Sequence, residues 1–194
     1  MFKTLDLKKN RMKKYLIQYK PFLIFLTKFF LSYLALTLAY YFYLSSFGGH
    51  LVDGITKLVG QNTQQLLRLF AVDLELQEKN QDLSLYLIHK NQVFARLKEG
   101  CNAMSIIILF MAFVFSFTGT FSKTVLFMVL GVISIYIFNI IRISVLFFLM
   151  FTFPAYVNFL HQIVFPLVLY GFVFVLWVFW VTKFSIYAKK NLES

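Results

Sequence analysis

Three side chains of this sequence have the types that thiol-based acyl transfer uses, and each lies near the end of an apolar run. Cys101 is the only cysteine of the 194 residues and precedes one such run, Arg142 lies within the next, and His161 begins the last. A cysteine supplies the nucleophile, a histidine carries the proton, and an arginine stabilises an oxyanion. The residue types therefore indicate acyl transfer, provided that the fold brings the three together.

Each of these residues also has a purely structural interpretation. A lone cysteine is usually a small buried hydrophobe, although one at a helix start has its thiolate stabilised by the helix dipole. An intramembrane arginine can be held by helix-end carbonyls or a lipid phosphate, and a histidine is often an interfacial polar residue. His50 and His89 are rival histidines, and Asn139, one turn before Arg142, is placed to orient the guanidinium.

The composition predicts an integral membrane protein. Sixty per cent of the residues are hydrophobic, the mean hydropathy is +0.74, and 26 Phe contrast with only 8 Asp and Glu. Apolar runs of the length that crosses a bilayer predict an all-α fold with four transmembrane helices. The predicted spans are residues 21–47, 102–117, 124–150 and 161–181, with Trp177 and Trp180 in an aromatic belt at the interface of the last.

The distribution of positive charge sets the predicted topology. The net charge is +11, but basic residues cluster in the segment 1–20, at Lys123 and in the tail 183–194, which is a membrane signal and not a nucleic-acid one. We therefore expect both termini in the cytoplasm. Residues 48–100, Cys101 and the loop at Pro154 then lie outside, and residues 101–182 form a three-span core.

The predicted extracytoplasmic insertion, residues 48–100, has the pattern of a small α/β unit with balanced charge. Apolar residues recur at helical spacing between Leu51 and Phe70, which predicts an amphipathic helix on the membrane or on the bundle. Alternating residues then predict three short strands, with a turn at Lys90-Asn91-Gln92 before the third. The last strand leads directly to Cys101.

Helix geometry places the three chemical residues at one depth. Counted from Lys123, Cys101 lies about 33 Å and Arg142 about 28 Å along the helix axis; counted from Lys183, His161 lies about 33 Å. A bilayer hydrocarbon core is about 30 Å thick. All three side chains should therefore reach the outer interface.

The residues around these positions resemble the exosortase/archaeosortase family, multi-pass membrane proteins that process a C-terminal sorting signal on exported proteins. Glu99-Gly100-Cys101-Asn102-Ala103, the Asn139-x-x-Arg142 spacing and His161 at the start of a span match that family, and the short form looks most like its exosortase F group. The resemblance implies Cys101, Arg142 and His161 as catalytic residues of a cysteine peptidase or transpeptidase. It also implies substrates with a motif, a transmembrane helix and a basic tail.

Two hypotheses follow for the function of the chain. The first is this membrane-embedded thiol peptidase in a bacterial inner membrane, with no cofactor, because neither a second cysteine nor a carboxylate–histidine cluster indicates zinc or disulfide exchange. Its partners are exported proteins and membrane lipid, and nucleic acid is not expected. The second is a non-enzymatic membrane scaffold or assembly subunit, in which residues 50–100 form a docking surface.

Overall fold

A computed structural model of the chain describes residues 2–48, 51–79, 83–117 and 119–184, with side chains from residue 18 onwards except 151 and 157. The described chain is a helical bundle that carries a small α/β layer at one end. The helices are α1 (Phe2–Ser45), α2 (Gly54–Arg68), α3 (Met104–Ser116), α4 (Phe121–Thr152), α5 (Val157–Phe159) and α6 (Phe165–Lys183). The strands are β1 (Glu75–Lys79), β2 (Ser84–His89) and β3 (Gln92–Leu97).

Three helical segments are long and apolar enough to cross a membrane, namely Gln18–Ser45, Phe121–Met150 and Leu160–Lys183. The second predicted span corresponds to α3, whose 13 residues rise only about 20 Å, less than a hydrocarbon core of about 30 Å. Three of the four predicted spans therefore correspond to helices that are compatible with a membrane crossing. By its length alone, α3 does not qualify as a fourth membrane-crossing helix.

Two helices run through positions where the residue pattern changes from apolar to polar or basic. The basic segment 1–20 continues into the first apolar run as one helix, with Pro21 inside it. Likewise, α4 continues without interruption past Asn139 and Arg142. Polar side chains leave the helical backbone hydrogen bonds intact, so they break an apolar pattern without breaking a helix.

The insertion has the predicted helix and three strands. Asp53 caps α2 by accepting a hydrogen bond from the Thr56 amide at 2.9 Å. The antiparallel sheet has the order β1-β2-β3. Lys90 and Asn91 both have positive φ, the backbone that a two-residue hairpin turn requires, so Gln92 belongs to β3 and not to the turn.

The C-terminal half of α4 forms part of the core of the insertion. At about 48 Å, α4 is longer than a hydrocarbon core is thick. Its Ile143 and Phe147 are buried in one cluster with Leu67 of α2 and Leu87 of β2, and Phe147 packs edge-on against Phe94 at 4.5 Å. Arg142 therefore lies directly beneath the insertion.

A second apolar core holds α3, α4 and α6 together. Phe110 of α3 is fully buried, and a Cβ at Gly131 of α4 would overlap its ring, so the small residue permits the close approach. Trp180 is also fully buried and stacks with Phe127 at 4.9 Å. The prediction of an aromatic belt at Trp180 is therefore wrong: the indole packs inside the bundle because α4 covers it.

Candidate functional site

Cys101 lies at the junction between the insertion and the bundle. It ends the 3-10 turn Glu99–Cys101, and its side chain is half-buried. Helix α3 begins only at Met104, after Ala103 with φ of 63°. The thiol is therefore not on the first turn of α3, and the sequence argument that the α3 dipole acts on it does not hold.

Asn139 joins Cys101 to Arg142. The Asn139 amide donates from Nδ2 to the Cys101 main-chain carbonyl at 2.9 Å, and its Oδ1 accepts a long contact of 3.4 Å from Arg142. Asn139 is completely buried. These two contacts are compatible with the predicted orienting role of Asn139. One amide bonds the backbone that carries the thiol and also contacts the guanidinium.

Arg142 is half-buried, and among the described residues no carboxylate pairs with it. Asn139 is its one hydrogen-bond partner in that part of the chain, so most of its five N–H donors are not used by protein groups there. The guanidinium carbon lies 6.0 Å from the centre of the Phe165 ring on α6. It also interacts electrostatically with Cys101.

His161 lies in a π-helical turn, Leu160–Val164, which leads into α6. Such turns are rare and are frequent at functional sites. Its side chain is exposed and interacts electrostatically with Arg142, and Phe165, the residue facing that guanidinium, follows four positions later. The structure therefore brings Cys101, Arg142 and His161 to one end of the bundle, from three separate segments.

The sequence did not predict the hydrogen-bond network that centres on the buried Asn102, the residue after Cys101. Asn102 donates to the Tyr40 hydroxyl at 3.0 Å and to the Thr56 hydroxyl at 3.2 Å, and it accepts from the Met104 amide at 2.9 Å. The network ties α1 and α2 to the start of α3. Its signal in the sequence is an amide beside the lone cysteine, where an apolar run begins.

Two carboxyl groups lie beside the turn that carries Cys101. Asp53 and Glu99 both line a cavity of about 390 Å³ at the C-terminal end of α1. Partial burial, and then the negative charge of Asp53, raise the pKa of Glu99. Glu99 thus resists ionisation more than a free side chain does, two residues before the thiol.

Of the two rival histidines, the structure describes only His89, and it lies apart from this arrangement. His50 lies outside the described residues. His89 lies in the insertion, where its Nδ1 is 2.7 Å from the Asp73 carbonyl and its ring meets Phe147 edge-on. Within the described ranges, no group of three or more His, Cys, Asp or Glu side chains could hold a metal ion.

Comparisons with protein-family models, with curated proteins and with solved structures find no match to this chain. A half-buried thiol, an arginine whose donors are mostly unused by the described residues and an exposed imidazole are the types of group that serve as nucleophile, anion-binding group and proton carrier.

Proposed function

We propose that the chain is a membrane-embedded cysteine peptidase or transpeptidase, acting at the outer face of a bacterial inner membrane. The observation that carries the proposal is the environment of the Arg142 side chain, which is half-buried and pairs with no described carboxylate. A half-buried guanidinium without a carboxylate partner among the described residues, linked through Asn139 to the backbone of Cys101, is suited to bind negative charge that develops during a reaction.

In the proposed reaction the Cys101 thiolate attacks a peptide carbonyl carbon, and the carbonyl oxygen becomes an oxyanion beside Arg142. Collapse of this intermediate breaks the C–N bond and leaves a thioester on Cys101. His161 first takes the thiol proton and then gives it to the leaving amine. Water, or an amine acceptor, then releases the acyl group from the sulfur, and the thiol is restored.

The proposal includes four membrane crossings with both termini in the cytoplasm. The 13-residue α3 rises about 20 Å, and the chain at Phe117, which has extended backbone, adds to its reach. Covered by α1, α4 and α6, a short crossing helix is shielded from lipid. The basic residues at both ends of the chain and at Lys123 support this orientation.

The proposed substrates are exported proteins with a C-terminal recognition motif, a transmembrane helix and a basic tail. A cleavage site just outside such a helix would meet the thiol at the outer end of the bundle. Residue patterns similar to those of exosortases, above all Glu99-Gly100-Cys101-Asn102-Ala103, support this substrate class.

The test compares a deletion strain carrying the wild-type chain with the same strain carrying Cys101→Ser. Serine is nearly isosteric but far less nucleophilic at neutral pH. We expect proteins with a C-terminal helix and basic tail to keep that tail only in the Cys101→Ser strain, as read by C-terminal peptide mass spectrometry at equal chain abundance. Identical C termini in both strains would refute the thiol mechanism.

A second candidate function is a non-enzymatic scaffold. The partly buried Cys101 packs against the apolar core of the insertion, and the Asn102 network makes the same turn a structural junction. Iodoacetamide distinguishes the two functions, because Cys101 is the only thiol. Fast labelling of the folded protein that rises with pH supports the enzyme, and labelling only after denaturation supports the scaffold.

A further inference from the structure

A groove between α4 and α6 combines an apolar wall with a cationic mouth. It has a volume of about 220 Å³ and is lined along α4 from Lys123 to Ser134, and on α6 by Leu176 and Phe179. Only Lys123 at one end and Ser134 at the other interrupt an otherwise apolar lining. The groove lies at the opposite end of the bundle from Cys101.

The length of the groove corresponds to one leaflet of a bilayer. Ser134 lies 11 positions beyond Lys123, which is about 16 Å along α4, and half of a hydrocarbon core of about 30 Å is about 15 Å. The Ser134 hydroxyl donates back to Leu130 of its own helix, so it offers the groove no free donor. An acyl chain that enters beside Lys123 would reach the bilayer centre at Ser134.

The charge at the mouth has no ion-pair partner among the described residues. Lys183 lies one helical turn beyond Phe179 on α6, so it flanks the same mouth as Lys123. Both lysines are exposed, and neither forms an ion pair with a described residue. Two uncompensated ammonium groups above an apolar groove complement a lipid that has a negative head and apolar tails.

We infer that this groove binds an anionic phospholipid of the leaflet at the Lys123 end, with its phosphate between Lys123 and Lys183 and an acyl chain against Leu130 and Leu176. The inference is independent of the peptidase chemistry. It makes the α4–α6 pair a selective lipid site and not merely a lipid-facing surface.

The two tryptophans of the chain provide a local reporter. Trp180 stacks with Phe127 and with Phe184, at 4.9 Å and 5.7 Å, and both rings line the groove. Trp177 instead stacks with Phe113 of α3 at 4.2 Å. In the full chain with Trp177→Phe, fluorescence therefore reports on Trp180 alone, and a brominated acyl chain in the groove would quench it.

The experiment places this variant in nanodiscs with a minor fraction of brominated phosphatidylglycerol or, separately, the same fraction of brominated phosphatidylcholine. We expect stronger quenching by the anionic lipid. Adding Lys123→Gln or Lys183→Gln should each lower that preference about fivefold. Lys28→Gln is the matched control, since Lys28 lines a separate groove beside Phe117 and should leave the preference unchanged.

A groove-filling variant, Ser134→Leu, gives a second measurement that leaves both lysines in place. It should reduce quenching by the anionic lipid, because its side chain takes the place of the acyl chain. Equal quenching by the two lipids would overturn the inference, as would a preference that survives the double change Lys123→Gln with Lys183→Gln or the filling of the groove.

Discussion

Asn139 donates a hydrogen bond from its buried amide to the main-chain carbonyl of Cys101, and this contact joins α4 to the turn that carries the thiol. The same amide oxygen faces Arg142. One side chain thus sets the position of the proposed nucleophile relative to the proposed anion-binding group. The relationship depends on the full amide, since neither a donor nor an acceptor alone makes both contacts.

Replacing Asn139 by Ala should therefore destabilise the protein. The change leaves the partly buried Cys101 carbonyl without its donor, and a buried group left unpaired typically costs about 1–3 kcal/mol in the free energy of unfolding. Ser134→Ala on the same helix is the control: its hydroxyl bonds only its own helix, and surface changes usually stay within about 0.5 kcal/mol. Unfolding of the two variants in detergent measures their free energies of unfolding. Equal decreases for Asn139→Ala and Ser134→Ala would show that the Asn139–Cys101 hydrogen bond does not stabilise the protein.

Asn139→Asp separates the two roles of the amide. It keeps an acceptor for Arg142, but it removes the donor to Cys101 and adds a negative charge beside the guanidinium. We expect Arg142 to pair with the new carboxylate and processing to fall well below that of the wild type, with the chain still inserted. Processing at the wild-type level would mean that free donors on Arg142 are not needed.

The sequence predicts the elements of this site better than its connections. For Arg142, residue spacing from Lys123 gives the distance along α4, because an uninterrupted helix has a fixed rise. The same count does not apply to Cys101, since non-helical backbone separates α3 from α4 and Cys101 lies before α3 begins. The contacts of Asn102 with Tyr40 and Thr56 join segments more than 45 residues apart, so they depend on tertiary packing. For the same reason, neither the π-helical turn at His161 nor the late start of α3 at Met104 follows from periodicity.

Ala103 has a strained backbone that a substitution can test. Its φ of 63° lies in the left-handed region, which costs an L-residue roughly 1–2 kcal/mol. Ala103→Gly should therefore preserve or slightly raise stability, whereas Ala103→Val, with a β-branched side chain at a 95% buried position, should lower it strongly. Thermal unfolding of the two variants in one detergent gives the comparison. A more stable Val variant would contradict this backbone conformation.

We expect Glu99 to make the free energy of unfolding depend on pH. Its pKa is raised in the folded protein, by partial burial and then by Asp53, so the folded state holds this proton more tightly than the unfolded chain does. Its contribution is complete below the unfolded pKa of about 4.3 and is lost as the pH rises through the higher folded value. Glu99→Gln cannot ionise, so it should be more stable than the wild type at pH 7.

The comparison at low pH completes the test of Glu99. At pH 4 the Glu99 carboxyl group is mostly protonated in the wild type, so the stability advantage of Glu99→Gln should shrink. Glu75→Gln, at an exposed position of β1, controls for the removal of a surface charge. The midpoints of thermal unfolding of the wild type and the two variants are measured at pH 7 and pH 4. A stability advantage of Glu99→Gln that grows at pH 4 would contradict the raised pKa.

Arg142 is the position where substitution distinguishes catalysis from packing. Lysine keeps the charge but loses the planar fork of donors. If Arg142 only balances charge near the interface, Arg142→Lys should be almost silent, since lysine also reaches polar surroundings from an apolar segment. If the guanidinium binds an oxyanion, geometry matters, and losing one such donor typically costs about 100- to 1000-fold in rate.

We therefore expect Arg142→Lys to insert normally yet lose most processing, and Arg142→Ala to lose all of it. Substrate cleavage on an immunoblot, at matched abundance of each variant, measures the effect. Arg96→Lys, at an exposed position of β3, controls for the exchange itself. Iodoacetamide labelling of Cys101 adds a readout that needs no substrate: if Arg142 acts on the thiol, Arg142→Ala should slow the labelling. Wild-type cleavage by Arg142→Lys would make Arg142 a structural residue and leave Cys101 and His161 as a dyad.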